Sequence, residues 1–277
     1  MSHSYNMLWP DGLKKALTFS YDDGVMQDLR LMNLFRRYGM KATFNLNSGF
    51  FGQVDENRGP RGTVDHSHIP AEDIASAYHG FETAVHTVHH PWLDRISPVN
   101  AANEILEDRR AIEECVKRPV RGMAYPFGTV NEEVKNIVKA CGIRFSRGTK
   151  TTNGYSLPED PYDWKCSCHH SNLEALIDPF VENDSRLYLL SVWGHSYEFD
   201  FEDTWDTFES QLERLAFKSD VWYCTNIEMF DYIDAYRSLQ WSVDASVVCN
   251  PTAIDVFAEV DGEIVCIPAG EVYEVED

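Results

Sequence analysis

The chain has no apolar run approaching the ~20 residues needed to cross a bilayer, so nothing in it supports a membrane-spanning role. It is poor in positive charge: 24 Lys and Arg stand against 45 Asp and Glu, a net charge of −21. Such a balance argues against nucleic acid or an anionic membrane as partner, and favours a neutral sugar over a polyanionic wall polymer. The seven cysteines, at 115, 141, 166, 168, 224, 249 and 266, are odd in number and scattered. That suits reduced thiols better than a disulfide framework. Residues 1–10 lack the basic segment and apolar run of a secretory leader, so a cytoplasmic location is expected. Internal repeats and low-complexity tracts are missing too. What remains is a chain of 277 residues, 13% of them aromatic, enough for one large α/β domain with a small appendage.

Apolar periodicity alternates between two and 3.6 along most of this length. Strands are expected at 16–20, 41–47, 83–86, 122–125, 143–146, 186–193 and 221–224. Helices are expected between them, at about 25–38, 97–117, 131–140, 204–217 and 227–239, with a short one beginning at Pro70. Alternating strands and helices imply parallel pairing with the helices outside. Seven such units suggest a barrel rather than an open sheet. Residues 49–68 are polar and long enough to be a functional loop. After Leu239 the pattern turns to short strands, with Asp261-Gly262 as a hairpin turn. Residues 1–239 are therefore expected to form the barrel and residues 240–277 a small antiparallel β appendage.

Chemistry-bearing residues fall where the expected strands end. Thr18-Phe19-Ser20-Tyr21-Asp22-Asp23-Gly24 places two adjacent carboxylates there, and His86-Thr87-Val88-His89-His90-Pro91 places imidazoles four residues apart. An isolated Asp-Asp-Gly commonly makes a turn, and an isolated His-rich stretch is commonly a solvated loop. In one β/α chain the two can meet on the rim where barrel active sites are built. One carboxylate and two neutral imidazoles hold a Zn²⁺-type ion while leaving positions open, and a spare carboxylate can take a proton from water. The pattern points to metal-assisted hydrolysis.

These motifs resemble the NodB-type polysaccharide deacetylases, carbohydrate esterase family 4, over roughly residues 14–235. Supporting matches are Asp160-Pro161-Tyr162-Asp163-Trp164 and Ser191-Val192-Trp193-Gly194-His195. The resemblance implies a distorted (β/α)₇ barrel and a metal-dependent hydrolase removing acetyl groups, mainly N-acetyl, from a sugar, oligosaccharide or polysaccharide. It implies Asp23, His86 and His90 as ligands of a divalent ion (Zn²⁺, with Co²⁺ or Ni²⁺ as substitutes), with His89 as the competing ligand. Asp22 would be the general base, His195 the general acid, and Asp163 the residue orienting His195. Tyr125, Phe127, Trp164 and Trp193 would face substrate, Trp193 lining an acetyl-methyl pocket and the Phe127 N–H serving an oxyanion hole; His169 or His170 is expected at substrate from its place in the segment after Trp164. The third motif departs from the family: Ala124-Tyr125-Pro126-Phe127-Gly128 puts Ala where the family has Arg and Phe where it has Tyr. Arg147 is expected to replace the missing cation, with Arg121 as the alternative.

Three further readings stay open on the sequence. The Cys166-Ser167-Cys168-His169-His170 cluster is a second metal site or a rim segment meeting substrate. The same fold can hydrolyse a small cyclic amide, as allantoinase-like relatives do. It can also serve as a non-catalytic carbohydrate-binding frame.

Overall fold

The computed structural model describes residues 3–59, 61–183 and 185–275. Its organising element is strand β1, Lys15–Asp23, buried for all but its last residue. Phe19 and Tyr21 point outward, Phe19 against Phe35 and Phe208 and Tyr21 against Phe35. Those rings belong to helices Asp28–Arg37 and Trp205–Leu215. Strand alternation therefore turns Thr18, Ser20 and Asp22 to the opposite, inner side.

Beyond β1, parallel pairing runs through β2 (Ala42–Leu46), β3 (Glu82–Val85), β4 (Gly122–Ala124) and β5 (Phe145–Thr151). Next comes β6, interrupted at Ser167 into Trp164–Cys166 and Cys168–His169. Its first piece pairs with β5 and its second with β7, Tyr188–His195. In turn β7 pairs with β1 from Lys15 to Asp22. One interrupted strand thus joins the two ends of the ladder, giving seven parallel strands in a distorted β/α barrel. The expected seventh strand near 221–224 does form, as Val221–Tyr223, but it pairs only with Lys15–Leu17 of β1. Its place is taken by β6, a segment whose Cys/His-rich composition hides a strand.

Polar groups of helix Asn226–Arg237 close the base of the barrel. Its start is fixed by a capping box between Thr225 and Glu228. There Thr18 Oγ1 donates to Asn226 Oδ1 at 2.8 Å, and the Ile227 N–H donates to Glu82 Oε2 at 2.9 Å. Apolar side chains around this helix, among them Phe145, Trp164 and Leu189, form one buried cluster with its Phe230 and Ile233.

The C-terminal strands are antiparallel, with Val256–Val260 and Glu263–Ile267 joined through Asp261 (φ 49°) and Gly262 (φ 93°). Two positive φ values in sequence are what a tight hairpin turn requires. Strand Tyr5–Met7 from the N-terminal side adds to this sheet through Val256–Val260. Among the described residues no helix is long and apolar enough to cross a membrane.

Candidate active site

The C-terminal ends of β1 and β3 bring three ligand-type side chains together: Asp23, His86 and His90. Asp23 closes β1 with φ 81°, and Thr87 (φ 69°) and His90 (φ 54°) bend the chain after β3 so that both rings turn inward. The two Nε2 atoms lie 3.1 Å apart, and Asp23 Oδ1 is 3.6 Å from His86 Nε2 and 3.9 Å from His90 Nε2. His86 Nδ1 lies 2.8 Å from the Ala124 carbonyl, which only accepts, so Nδ1 is the donor and Nε2 is the nitrogen turned to the triad. Burial and the neighbouring His86 ring push His90 down to about 4. Two ring nitrogens facing each other beside a carboxylate call for a cation or a shared proton between them, and this donor set fits a divalent ion. His89 turns away, its Nδ1 2.9 Å from Glu104 Oε1 on helix Pro98–Val116.

Asp22 projects into the barrel beside this triad. Its Oδ1 accepts from Arg147 Nη2 at 2.5 Å and from Asn45 Nδ2 at 2.9 Å. Its Oδ2 stands 3.9 Å from both His86 Nε2 and His195 Nε2. Burial pushes the Asp22 carboxyl up, but Arg147, His86 and His195 together hold it below its ordinary value. Arg147 is fully buried; its Nε donates to Ser20 Oγ at 2.9 Å, and its guanidinium lies 5.1 Å from the centre of the Trp193 ring. It thus stands where the third motif lacks its cation. Arg121 instead forms a two-bond pair with Asp231, at 2.9 and 2.7 Å.

His195 ends β7, and its neighbours correct one sequence expectation. Asp163 precedes β6, whereas His169 at the far end of that strand meets the rim. Asp163 forms no ion pair with His195 among the described residues, and it is not among the charges that shift that ring. The carboxylate beside His195 is instead Glu198, with Oε1 3.2 Å from Nδ1, an ion-pair approach rather than an aligned hydrogen bond. Glu198 Oε2 also accepts from the His195 backbone N–H at 3.2 Å and lies 2.9 Å from His169 Nε2. Burial lowers His195, but Glu198, Asp23 and Asp22 outweigh it and raise the ring to about 9. Burial likewise works against ionised Glu198, and His169 and His195 overcome it, holding this carboxyl well below the usual range.

Tyr125 and Trp164 also depart from their expected place at the substrate. Tyr125 is buried, its hydroxyl donating to the Tyr162 carbonyl at 2.9 Å. Trp164 packs edge-on against Phe145 and Phe230 inside the barrel, because it starts β6 rather than ending it. Trp193 does reach the site, 4.7 Å from the His169 ring and 5.8 Å from the His195 ring. Phe127 is 44% exposed at φ 59°, stacked on Trp92 and edge-on to His90. Sequence reasoning missed Asn45 and Glu198. The first stands on the polar side of β2, opposite Phe44 and Leu46. The second follows His195 by three residues, a spacing that lets one turn bring carboxylate and imidazole together.

A cleft of about 360 Å³ opens beside the triad, lined by Asp23, Asn47, Asp55, His66, His90 and Tyr197 among others, with no Lys or Arg among the described residues of its walls. Loop 49–68 forms one side, and hairpin Glu56–Gly59/Gly62–Asp65 is docked by Gln27 Nε2 donating to the Asp65 carbonyl at 2.6 Å. A second cavity of about 440 Å³ lies behind His169, His170 and Glu198, walled by Phe199 and Phe208.

A parallel β/α barrel here brings Asp and His side chains together at its strand ends, the rim where active sites of this architecture are built. Residues 10–146 match the polysaccharide deacetylase family model. The chain is 24% identical over 172 residues to the peptidoglycan-N-acetylglucosamine deacetylase of Bacillus cereus, covering 61% of this chain and 68% of that one. It is 22% identical over 140 residues to Bacillus subtilis YxkH, named as a polysaccharide deacetylase, covering 50% of this chain and 46% of the relative. The match thus spans about half of YxkH. Among solved structures, the Xyl-CE4 domain of a multidomain xylanase from the hindgut metagenome of Trinervitermes trinervoides aligns with a TM-score of 0.50 at 17% identity, covering 80% of this chain and 92% of that one. A mutant of a CE4 family pseudoenzyme aligns with a TM-score of 0.50 at 18% identity, covering 80% and 69%. These likenesses concern the fold.

Proposed function

We propose that the protein is a metal-dependent deacetylase acting on an N-acetylated sugar or oligosaccharide, with O-acetyl groups as secondary substrates and Zn²⁺ as the native ion. The supporting observation is the flanking of the Asp23–His86–His90 triad by Asp22 and His195, with Asp22 Oδ2 3.9 Å from His195 Nε2. A bound divalent ion supplies Lewis-acid polarisation of the acetyl carbonyl and acidifies the attacking water.

Asp22 Oδ1 is committed to Arg147 and Asn45, so Oδ2 is the oxygen available to take the water proton. The water oxygen bonds to the carbonyl carbon, and the Phe127 N–H stabilises the negative charge that develops on the carbonyl oxygen. His195 then gives its Nε2 proton to the leaving nitrogen, the C–N bond breaks, and acetate and a free amine depart. Trp193, above Arg147 and beside His195, offers an apolar wall for the acetyl methyl. A cleft without Lys or Arg favours a neutral or amine-bearing sugar.

The test is acetate release from a panel of N- and O-acetylated sugars and oligosaccharides, run beside ring opening of a cyclic ureide. Acetate from N-acetylated oligomers supports the proposal. Ring opening without acetate would transfer the site to small-amide hydrolysis, and sugar binding with neither product would leave a binding protein.

A further inference from the structure

Glu198 belongs to none of the motifs that suggested the site and His169 was expected only to face substrate, yet together they complete its acid. We infer that Glu198 is the positioning residue for His195 and that His169 is the second imidazole holding that carboxylate in place. This rests on the deacetylase reading of His195 and goes beyond it by naming which side chains make that ring an acid.

The geometry is specific. Helix Glu198–Glu202 begins three residues after His195 and folds Glu198 back over it. One carboxylate oxygen faces the His195 ring at 3.2 Å, while the other takes the His195 backbone N–H at 3.2 Å. Ring and backbone of one residue are thereby held by one carboxylate. The same Oε2 lies 2.9 Å from His169 Nε2, and His169 Nδ1 is 2.9 Å from Ser171 Oγ. His169 reaches this point because Cys168–His169 pairs with Val192–Trp193 of β7. A third ring, His170, approaches Oε2 at 3.4 Å. It lies above Gly194, where a Cβ would come 2.0 Å from His170 Nδ1. That explains the glycine before His195: a side chain there would displace His170 from against the carboxylate.

This arrangement supplies beside His195 the carboxylate that was expected from Asp163. A carboxylate against Nδ1 keeps the proton there, leaves Nε2 facing the reacting centre, and stabilises the imidazolium that must exist before proton delivery. His169 offsets the burial of that negative charge, since a carboxylate this enclosed needs a second partner.

The test compares Glu198→Gln and His169→Gln with wild-type protein loaded with Zn²⁺. Acid catalysis matters for an amine leaving group and hardly at all for 4-nitrophenolate. Glu198→Gln should therefore lower kcat on an N-acetylated oligosaccharide roughly 100-fold while KM and 4-nitrophenyl acetate turnover change by less than about three-fold. Glu198→Asp should recover part of the loss, and His169→Gln should lose roughly ten-fold in the same pattern. An equal fall on both substrates, or no fall, would overturn the inference. An activity-independent arm follows the ¹⁵N resonances of His195 through a pH titration. The ring should lose its second proton at least one unit lower in Glu198→Gln, and an unchanged titration would overturn the assignment even if no acetylated sugar proved to be a substrate. Absence of acetate from wild-type protein would instead sink the deacetylase reading.

Discussion

Arg147 is a charged side chain with no access to solvent, and its partner Asp22 is nearly as enclosed. Removing one member of a buried pair leaves the other uncompensated. Arg147→Met should therefore destabilise metal-free protein by about 3 kcal/mol in denaturant unfolding, and a second change, Asp22→Asn, should restore most of that. A loss below about 1 kcal/mol would mean that Asn45 and Ser20 suffice to hold Asp22. Glu82 gives a pH prediction. Burial pushes it up to about 7 although Thr43 and the Ile227 N–H bond to its Oε2, and its Oε1 has no partner. A carboxyl raised in the folded state contributes stability fully below its ordinary value near 4.5, and that contribution is lost as pH climbs through about 7. Glu82→Gln should match wild type near pH 5 and melt several degrees higher at pH 8; a Tm difference that does not change with pH would contradict this. At this scale the sequence was most informative where spacing alone does the work, as in Asp22-Asp23 and His86…His90. It was least informative where the partner arrives from another strand, as Asn45 and Glu198 do.

At the level of elements, β6 shows why one part of the barrel was hidden. Trp164-Lys165-Cys166 alternates correctly for a strand, but the run is short, breaks at Ser167 and continues as Cys-His, a composition that suggests a metal loop. Reading it as a loop moved Asp163 and Trp164 to the rim when they belong at the strand's start. Strand β1 was legible because its apolar residues alternate around Thr18 and Ser20 and end at Gly24. The Asp261-Gly262 turn was legible because two consecutive residues with positive φ strongly favour that pair. Gly194 carries the prediction here. Gly194→Ala should cost about 2–3 kcal/mol or expel His170 from its slot, and adding His170→Ala should relieve most of the cost. Equal destabilisation in both backgrounds would show that the glycine serves the strand rather than the ring.

For the whole molecule, a net charge of −21 surrounds a cleft without Lys or Arg. Turnover of a neutral acetylated oligosaccharide should change by no more than about two-fold between low and moderate salt. A sugar bearing carboxylates should bind poorly at low salt and improve as salt screens the repulsion; tight binding at low salt that salt weakens would contradict this account of the surface. The central claim is that Asp23, His86 and His90 hold the ion on which acetyl hydrolysis depends. The most direct measurement titrates Zn²⁺ into chelated wild-type and Asp23→Ala proteins while acetate release from an N-acetylated oligosaccharide is followed in the same samples. Wild-type protein should regain activity in step with one bound equivalent, and Asp23→Ala should lose that equivalent and the acetate together. Full acetate release from chelated protein, or from Asp23→Ala without bound metal, would contradict the claim.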